Sequence, residues 1–512
     1  MATRTATAAA PTSRRWIGVS TAALLHYLTL CFIIGVGAWL RLTGLSRQSL
    51  WFDEIDVVVR ADRPMDQVLR TFVREGENGP LYNLLLAIWV RMAGISETAV
   101  RFPSAVAGVL AIPLIYLLAR RVVGPVAGLF SAGLLAISPY HVWYSQEAKM
   151  YSLVVLLALA STLALAEALE RNRARWWVGW VVITSLMFYM HVTSVLVFAA
   201  QVGYLLLAHR RWPGRGRAML LAVAALTLPY VPIALWALRV VGGEVATWHA
   251  DVGLWEALRV FGIKFAVNRA ESINETRGAL LFLALAIGGL VALLRRGERG
   301  EWWLLLALSA ALPVVGLYLV SLRQSVFSDR YAIVALSAYL ILVAAGVAFL
   351  VRSRNPLASI LGVVAIFLLV SAAWQPLRDV NRSTQAQKED WRSAWADVAR
   401  RDEPGDAFLL QPGYIITTVE YFNQRLPELR GHAVVTIPPV GGESYDRDAL
   451  LARLRERSNG ATRLWLIQSP DRVALEDRRG RVSALLDELG TIHYQAEVNG
   501  VRLTLYEMPV GW

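Results

Sequence analysis

A few short stretches of the sequence set ionisable side chains beside aromatic rings, and any chemistry has to come from them. The first is Ser49-Leu-Trp-Phe-Asp53-Glu54-Ile-Asp56, where adjacent acids follow Trp51 and Phe52. Aromatic side chains favour a membrane–water interface. The partial desolvation they bring should raise a carboxylate pKa towards general-base range. Asp53 and Glu54 are therefore the candidate catalytic pair, with a solvated acidic loop as the plain alternative. The second stretch is Glu77-Asn78-Gly79-Pro80-Leu81-Tyr82, in which Pro80 suits the first turn of a helix. It offers Glu77, Asn78 and Tyr82 as substrate contacts, or is simply a surface turn and cap.

The third, Ser138 to Tyr151 (SPYHVWYSQEAKMY), gathers His141, Tyr144, Glu147, Lys149 and Tyr151 between two apolar runs. Glu147 and Tyr151 are four apart and share a face if the segment is helical. Ionisable groups at a membrane boundary are costly and point to function; an interfacial aromatic belt with one Glu–Lys pair is the competing reading. The fourth is Asp329-Arg330-Tyr331. Arg330 is suited to grip a phosphate through two parallel N–H bonds, or else anchors a helix end. His191 lies in a short turn between apolar runs. It is a structural histidine in the plain reading and, with Glu77, a candidate ligand for a divalent metal ion.

The elements that must hold these residues are membrane helices. The chain has 512 residues, 56% hydrophobic and 18% charged, with a mean hydropathy of +0.45. Soluble chains average about a quarter charged residues. Apolar runs at 17–40, 99–119, 125–140, 151–169, 176–190, 193–208, 218–238, 278–294, 302–320, 331–351 and 356–374 are near the roughly 20 residues that a spanning helix needs. About eleven transmembrane helices are expected on that ground. The first run follows Arg14 and Arg15 but is too long for a signal-peptide core, so it reads as a retained helix. Pro80 to Ala93 is short and interrupted by Arg91, which suits an interfacial helix within a long first loop, 41–98.

Arginines set the orientation. With a cytoplasmic N-terminus, Arg120/Arg121, Arg171/Arg173/Arg175, Arg210/Arg211/Arg215/Arg217, Arg295/Arg296/Arg299 and Arg352/Arg354 all fall in inside loops, as the positive-inside rule requires. Asp53, Glu77, Glu147, Lys149, His191 and Arg330 then share the outer face. The same placement accounts for the net charge of +12 without nucleic acid, since no basic face with interleaved aromatics stands out. Cys31 is the single cysteine, so neither a disulfide framework nor a cysteine metal site is available. Residues 1–374 read as the membrane domain, and 375–512 as a soluble α/β domain on the outer side. In the latter, Trp391 to Arg400 and RVSALLDELG look helical, AFLLQ and RLWLIQ strand-like, and TIHYQAEV and RLTLYEM form a hairpin around Asn499-Gly500.

In this order the motifs resemble bacterial GT-C glycosyltransferases of the protein-mannosyltransferase and aminoarabinose-transferase type. The resemblance runs from the Asp-Glu pair through Pro-Leu-Tyr, RFPSAVAGVLAIPLIYLLARR and SPYHVWYSQEAKMY to the late Arg-Tyr. The opening of the last domain, KEDWRSAWADVARRDEPGD, is similar to the tails of bacterial members. The resemblance implies a multi-pass protein of the bacterial cytoplasmic membrane that moves a sugar, with inversion, from a polyprenyl-phosphate donor to a hydroxyl acceptor (protein, glycan or glycolipid). It implies Asp53 as the base and Glu54 as a positioner of the acceptor. Relatives usually carry His-Pro-Pro where this chain has Asn78-Gly79-Pro80, and some hold a divalent metal near the base.

The rival from another class is a transporter or flippase of lipid-linked sugars. Such proteins tend to show repeats and binding residues near the midplane, whereas here no repeat is evident and the ionisable residues gather at one edge. A cysteine introduced into the 41–98 loop of a Cys31→Ala background should react with a membrane-impermeant maleimide from outside intact cells. Labelling only after lysis would overturn the orientation.

Overall fold

The computed structural model describes residues 21–74, 77–231, 235, 252–268, 273–297, 301–324, 326–382, 387–438 and 446–512. Arg14, Arg15, Arg299, the start of the 17–40 run and most of 218–238 beyond residue 231 lie outside them. Each expected apolar run is helical where it is described. The chain begins with α1 (Thr21–Leu42) and continues into the first loop with α2 (Phe52–Asp62), α3 (Met65–Arg70) and α4 (Pro80–Ala93). Then come α5 (Glu97–Val122), α6 (Pro125–Ile137), α7 (Pro139–Ser145), α8 (Tyr151–Arg171), α9 (Ala174–Met190), α10 (Val195–Leu207) and α11 (Gly216–Thr227). Later apolar helices are Leu254–Val267, Ile273–Arg296, Trp302–Ser321, Leu336–Val351 and Pro356–Arg382.

Local chemistry sets several of these boundaries. Ser96 caps α5 by accepting the Ala99 N–H. Pro80 and Pro125 occupy first helical positions, where a missing N–H costs nothing. Pro139 cannot continue α6, because it has no donor and its ring clashes with the preceding turn. Ser138 instead caps α7 through the His141 N–H, and the two helices meet at a bend of 59°. That bend places SPYHVWYSQEAKMY as a turn-rich element rather than the tail of a straight span.

Among the described residues seven helices are long and apolar enough to cross a membrane, or eight if the bent pair counts as one. The remaining expected spans are short: α9 has 17 residues and α10 has 13, against the roughly 20 that a bilayer needs. Length among the described residues therefore does not confirm the figure of eleven, and the end of the 218–238 run lies outside them.

The tightest helix contact joins Ile273–Arg296 to Leu336–Val351. A Cβ on Gly289 would lie 2.0 Å from the Leu342 carbonyl oxygen, and one on Gly346 would lie 2.2 Å from that of Leu285. Small residues at such crossings let backbones approach closely where lipid supplies no hydrophobic drive. The second of these helices is continuous with the Asp329-Arg330-Tyr331 turn.

The last apolar helix continues to Arg382, past residue 374. After it, Trp391–Arg401 leads into a five-stranded sheet of order β2-β1-β3-β5-β4. The strands are β1 (Ala407–Gln411), β2 (Ala433–Thr436), β3 (Arg463–Gln468), β4 (Thr491–Val498) and β5 (Val501–Glu507). The first three pair in parallel, and the β4–β5 hairpin adds antiparallel. Asn499 and Gly500 both have positive φ, which a two-residue hairpin turn favours. This sheet domain is docked on the first loop: Tyr421 and Arg425 donate to the Ile95 carbonyl at 3.1 and 2.7 Å. The Arg392 N–H reaches Ser49 Oγ at 3.0 Å.

Gly346→Val should force the two helices apart and cost about 1–3 kcal/mol or more. The measurement is thermal unfolding in detergent. An unchanged midpoint would mean the crossing is not close.

Candidate active site

The site is organised where α2 meets α5 and the turn after α7. Glu54 is 1% exposed. Its oxygens take Arg101 Nε at 2.8 Å, Arg101 Nη2 at 2.6 Å and the Ala148 N–H at 2.7 Å. Arg101 donates further to the carbonyls of Leu45, Gln48 and Ser49 at 2.7, 2.8 and 2.9 Å. One buried ion pair thus fixes the loop after α1, the start of α2, α5 and the Glu147 turn. Burial alone would raise the Glu54 pKa, but the Arg101 guanidinium outweighs it and holds the group ionised. The expected contact between Glu54 and an acceptor is corrected here, because both oxygens are already committed inside the protein.

Asp53, one residue earlier, faces the cations of the site. Its Oδ2 receives Arg330 Nη1 at 3.1 Å and its Oδ1 receives Arg472 Nη2 at 3.3 Å. The expected raised pKa is also corrected. Burial pushes it up, but Lys149, Arg330 and Arg472 together bring it down to about 2. Burial supplies the desolvation, and cations distant in sequence reverse its sign. Arg330 also lies over the rings of Trp51, Tyr151 and Tyr331 at 5.6, 6.0 and 5.8 Å. Lys149, whose pKa burial lowers, has no ion-pair partner within 4.0 Å among the described residues.

Beside Arg330 opens a cavity of about 260 Å³ walled by Trp51, Trp143, Tyr144, Glu147, Lys264, Asp329 and Lys388. Glu147 pairs through Oε1 with Lys388, while its Oε2 is buried without a hydrogen-bond partner. Burial raises the Glu147 pKa. The Lys388 ammonium stands 4.2 Å from the Trp51 ring centroid and 4.7 Å from that of Trp143.

His191 approaches from the turn between α9 and α10. It is 2% exposed and packs at a tilt against Tyr331 and Tyr151, with centroids 5.2 and 5.7 Å away. Its Nδ1 accepts the Thr193 N–H at 3.2 Å, so the ring proton belongs on Nε2. That Nε2 is buried and has no partner. Burial, with the fields of Arg330 and Lys149, takes its pKa down to about 3. His191 is therefore a neutral N–H donor beside two cations.

The other expected contacts act from behind. Asn78 Oδ1 accepts the Val192 N–H at 2.9 Å. Gly79, at φ +81, leaves no room for a Cβ, which would stand 2.9 Å from the Met190 carbonyl oxygen. The Asn78-Gly79 turn thus seats the His191 turn. Tyr82 is buried with its hydroxyl 3.4 Å from Ser104 Oγ, which donates to the Lys149 carbonyl at 2.8 Å. Glu77 pairs with Arg60 at 3.4 Å and Arg74 at 3.5 Å. His141 is fully buried against Arg41, with Nδ1 2.9 Å from Nη2. Arg41 also donates to the Leu135 and Ala136 carbonyls at 2.7 and 2.9 Å. His141 therefore belongs to the α6–α7 bend and not to the cavity.

Among the described residues no three of His, Cys, Asp and Glu converge to hold a metal ion, and Glu77 is held by arginines. What the arrangement offers is an ionised carboxylate, with Lys149, Arg330 and an imidazole N–H beside it. That set holds an anion next to a proton acceptor.

Sequence reading missed Arg101, Lys388, Glu389 and Arg472. Lys388 and Glu389 fall in the KEDW motif that opens the last domain, a signal that marked a boundary rather than a site. Arg472, 419 residues from Asp53, carries no local signal.

Glu54→Gln leaves Arg101 buried without its counter-charge. It should lower stability by about 3–5 kcal/mol, read as a fall in the detergent melting temperature. A change within error would remove the ion pair from its bracing role.

Residues 77–236 match the family model described as dolichyl-phosphate-mannose-protein mannosyltransferase. A comparison with curated protein sequences gives no match. Among solved structures, the chain is similar to ArnT from Cupriavidus metallidurans in the apo state, at 13% identity and a TM-score of 0.57, covering 95% of this chain and 98% of that one. The same enzyme bound to undecaprenyl phosphate gives 12% identity and 0.56 over the same shares. The archaeal oligosaccharyltransferase AglB from Archaeoglobus fulgidus, in complex with an inhibitory peptide and a dolichol-phosphate, gives 10% identity and 0.58, covering 96% of this chain and 75% of that one. Multiple apolar helices, the small C-terminal sheet domain and these neighbours together show a multi-pass membrane protein with the GT-C fold, and its residues 77–236 are similar to the mannosyltransferase family model.

Proposed function

We propose that the protein transfers a sugar, with inversion, from a polyprenyl-phosphate donor to a hydroxyl acceptor at the outer face of a bacterial cytoplasmic membrane. The observation that carries this reading is the pairing of an ionised Asp53 with Arg330, beside Lys149 and the unpartnered Nε2 of His191. ArnT with undecaprenyl phosphate and AglB with dolichol-phosphate support the lipid class of the donor. The arginine-rich loops support the outer orientation.

In the proposed reaction the acceptor oxygen attacks the anomeric carbon as the bond from that carbon to the phosphate oxygen breaks. The acceptor proton passes to Asp53, and the lipid phosphate leaves with the electron pair. Lys149, Arg330 and the His191 N–H stabilise the charge it gains, which is worth most in a poorly hydrated site. Glu147, with one free oxygen on the cavity wall, is suited to hold a sugar hydroxyl. A prenyl tail can stay in hydrocarbon throughout, beside the interfacial α4.

Donor binding also tunes the base. Asp53 alone faces enough positive charge to be a weak proton acceptor. A bound phosphate draws on Lys149 and Arg330, weakens their field at Asp53, and so raises its pKa. The carboxylate becomes basic when the donor is present.

Purified protein incubated with undecaprenyl-phosphate mannose, glucose, galactose and arabinose-type donors and a membrane extract should release undecaprenyl phosphate from at least one of them. Asp53→Asn should lower that turnover by about 10²–10⁴ while donor binding persists. Lys149→Gln and Arg330→Gln should weaken binding itself. Full turnover in Asp53→Asn would exclude it as the base.

A further inference from the structure

Two side chains of the C-terminal sheet domain are built into the neighbourhood of Asp53, and neither the fold nor the proposed chemistry accounts for them. Arg472 stands in the first turn of the helix Pro470–Glu476. Its Nη2 reaches Asp53 Oδ1 at 3.3 Å, and its Nε reaches Glu389 Oε1 at 3.2 Å. Ser469 Oγ donates to the same Glu389 oxygen at 2.7 Å. The other oxygen, Oε2, accepts the Phe52 N–H and Trp391 Nε1, each at 3.0 Å. Glu389 therefore ties the N-terminus of α2, one residue before Asp53, to the turn that carries Arg472.

The guanidinium is held by more than charge. It lies 4.4 Å from the ring centroid of Phe52 and 5.9 Å from that of Tyr414. An exposed ion pair contributes little, but this one is about three-quarters buried on both sides, with side-chain exposures of 24% and 19%. It is also fixed by aromatic faces and a second carboxylate. Such a fork loses little entropy on binding, because its geometry is set beforehand.

We propose that Arg472 is a positioning residue for Asp53, aimed by Glu389, so that the C-terminal domain completes the reaction centre. The inference rests on the reading of Asp53 as base. It divides the work of two arginines. Arg330 grips Oδ2 and is shared with the donor phosphate; Arg472 grips Oδ1 and stays when Arg330 is drawn away. The carboxylate then keeps its orientation and enters the step ionised, ready to take the acceptor proton.

The charged groups facing Asp53 are Arg330, Lys149 and Arg472, with Glu389 sharing Arg472 and Asp56 one turn along α2. Removing Arg472 takes away one cation, so the Asp53 pKa rises and more of it is protonated in acid. In the full-length protein, Arg472→Gln should move the acid limb of the kcat/KM profile upward by about one pH unit. It should also lower kcat about tenfold with little change in KM, measured with whichever donor of the panel the wild type turns over. Arg472→Lys should restore the acid limb but only part of kcat, since it returns the charge and not the fork. Glu389→Gln should reproduce part of the kcat loss.

An Arg472→Gln profile that superimposes on the wild type overturns the proposal. So does an equal loss in Arg472→Lys and Arg472→Gln with the acid limb unmoved, which is what a merely structural contact would give. A wild type that turns over no donor would sink the functional reading instead. The positioning inference is then read by infrared spectroscopy, as the carbonyl stretch of protonated Asp53, identified by its loss in Asp53→Asn. That band should appear at higher pH in Arg472→Gln than in the wild type; coincident titrations refute the inference.

Discussion

The buried pair between Glu54 and Arg101 is the constraint on which the rest of the site depends. Two charges out of water are tolerable only when every remaining donor and acceptor is satisfied, and here they are met by backbone. Arg101 reaches three carbonyls of the loop after α1, and Glu54 takes the Ala148 N–H. The consequence is geometric. Because Glu54 is locked into α5, Asp53, its neighbour on the same helical turn, is directed away from the core. It meets Arg330, and Lys149 stands on the turn that Ala148 anchors. A pair of adjacent acids therefore splits into one that holds the scaffold and one that meets the cations of the site.

That split shows why desolvation alone misleads. Burial does remove water from Asp53 and is the largest influence on its pKa. Three cations nonetheless outweigh it. At the few-ångström separations seen here an opposite charge lowers a carboxylate pKa by one to three units. Several acting together decide the sign. His191 shows the same balance from the other side: burial and two nearby cations keep it neutral, and its accepted Thr193 N–H turns the remaining proton outward.

How much of this was legible in the sequence follows from range. Helix positions, the short α4 and the hairpin at Asn499-Gly500 are local properties, written in apolar runs and turn residues, and they were read correctly. Of the side chains that line the cavity, Tyr144, Glu147 and Arg330 stand in motifs the sequence singles out, and Asp53, Tyr151 and Tyr331 lie against Arg330. What failed was the role of residues whose partners are remote. His141 is claimed by Arg41 at a separation of 100 residues, and Arg330 meets Asp53 across 277. Nothing at position 141 announces that a membrane helix will bury an arginine beside it. The span count stands apart: an apolar run fixes where a helix lies, but its length is set by neighbouring turns such as His191-Val192.

The sheet domain changes what kind of site this is. A reaction centre made only of membrane helices and their loops would be set by packing in the bilayer. Here Glu389 accepts the N–H of Phe52 at the start of α2, and an acceptor at that place also satisfies an otherwise unpaired helix donor. The same carboxylate orients Arg472, while the neighbouring Lys388 closes the cavity against Trp51, Trp143 and Glu147. Docking the domain and completing the charge balance around Asp53 are therefore one event. Any displacement of the sheet domain that withdraws Glu389 also withdraws Arg472 and Lys388, and leaves Asp53 facing Arg330 and Lys149 alone.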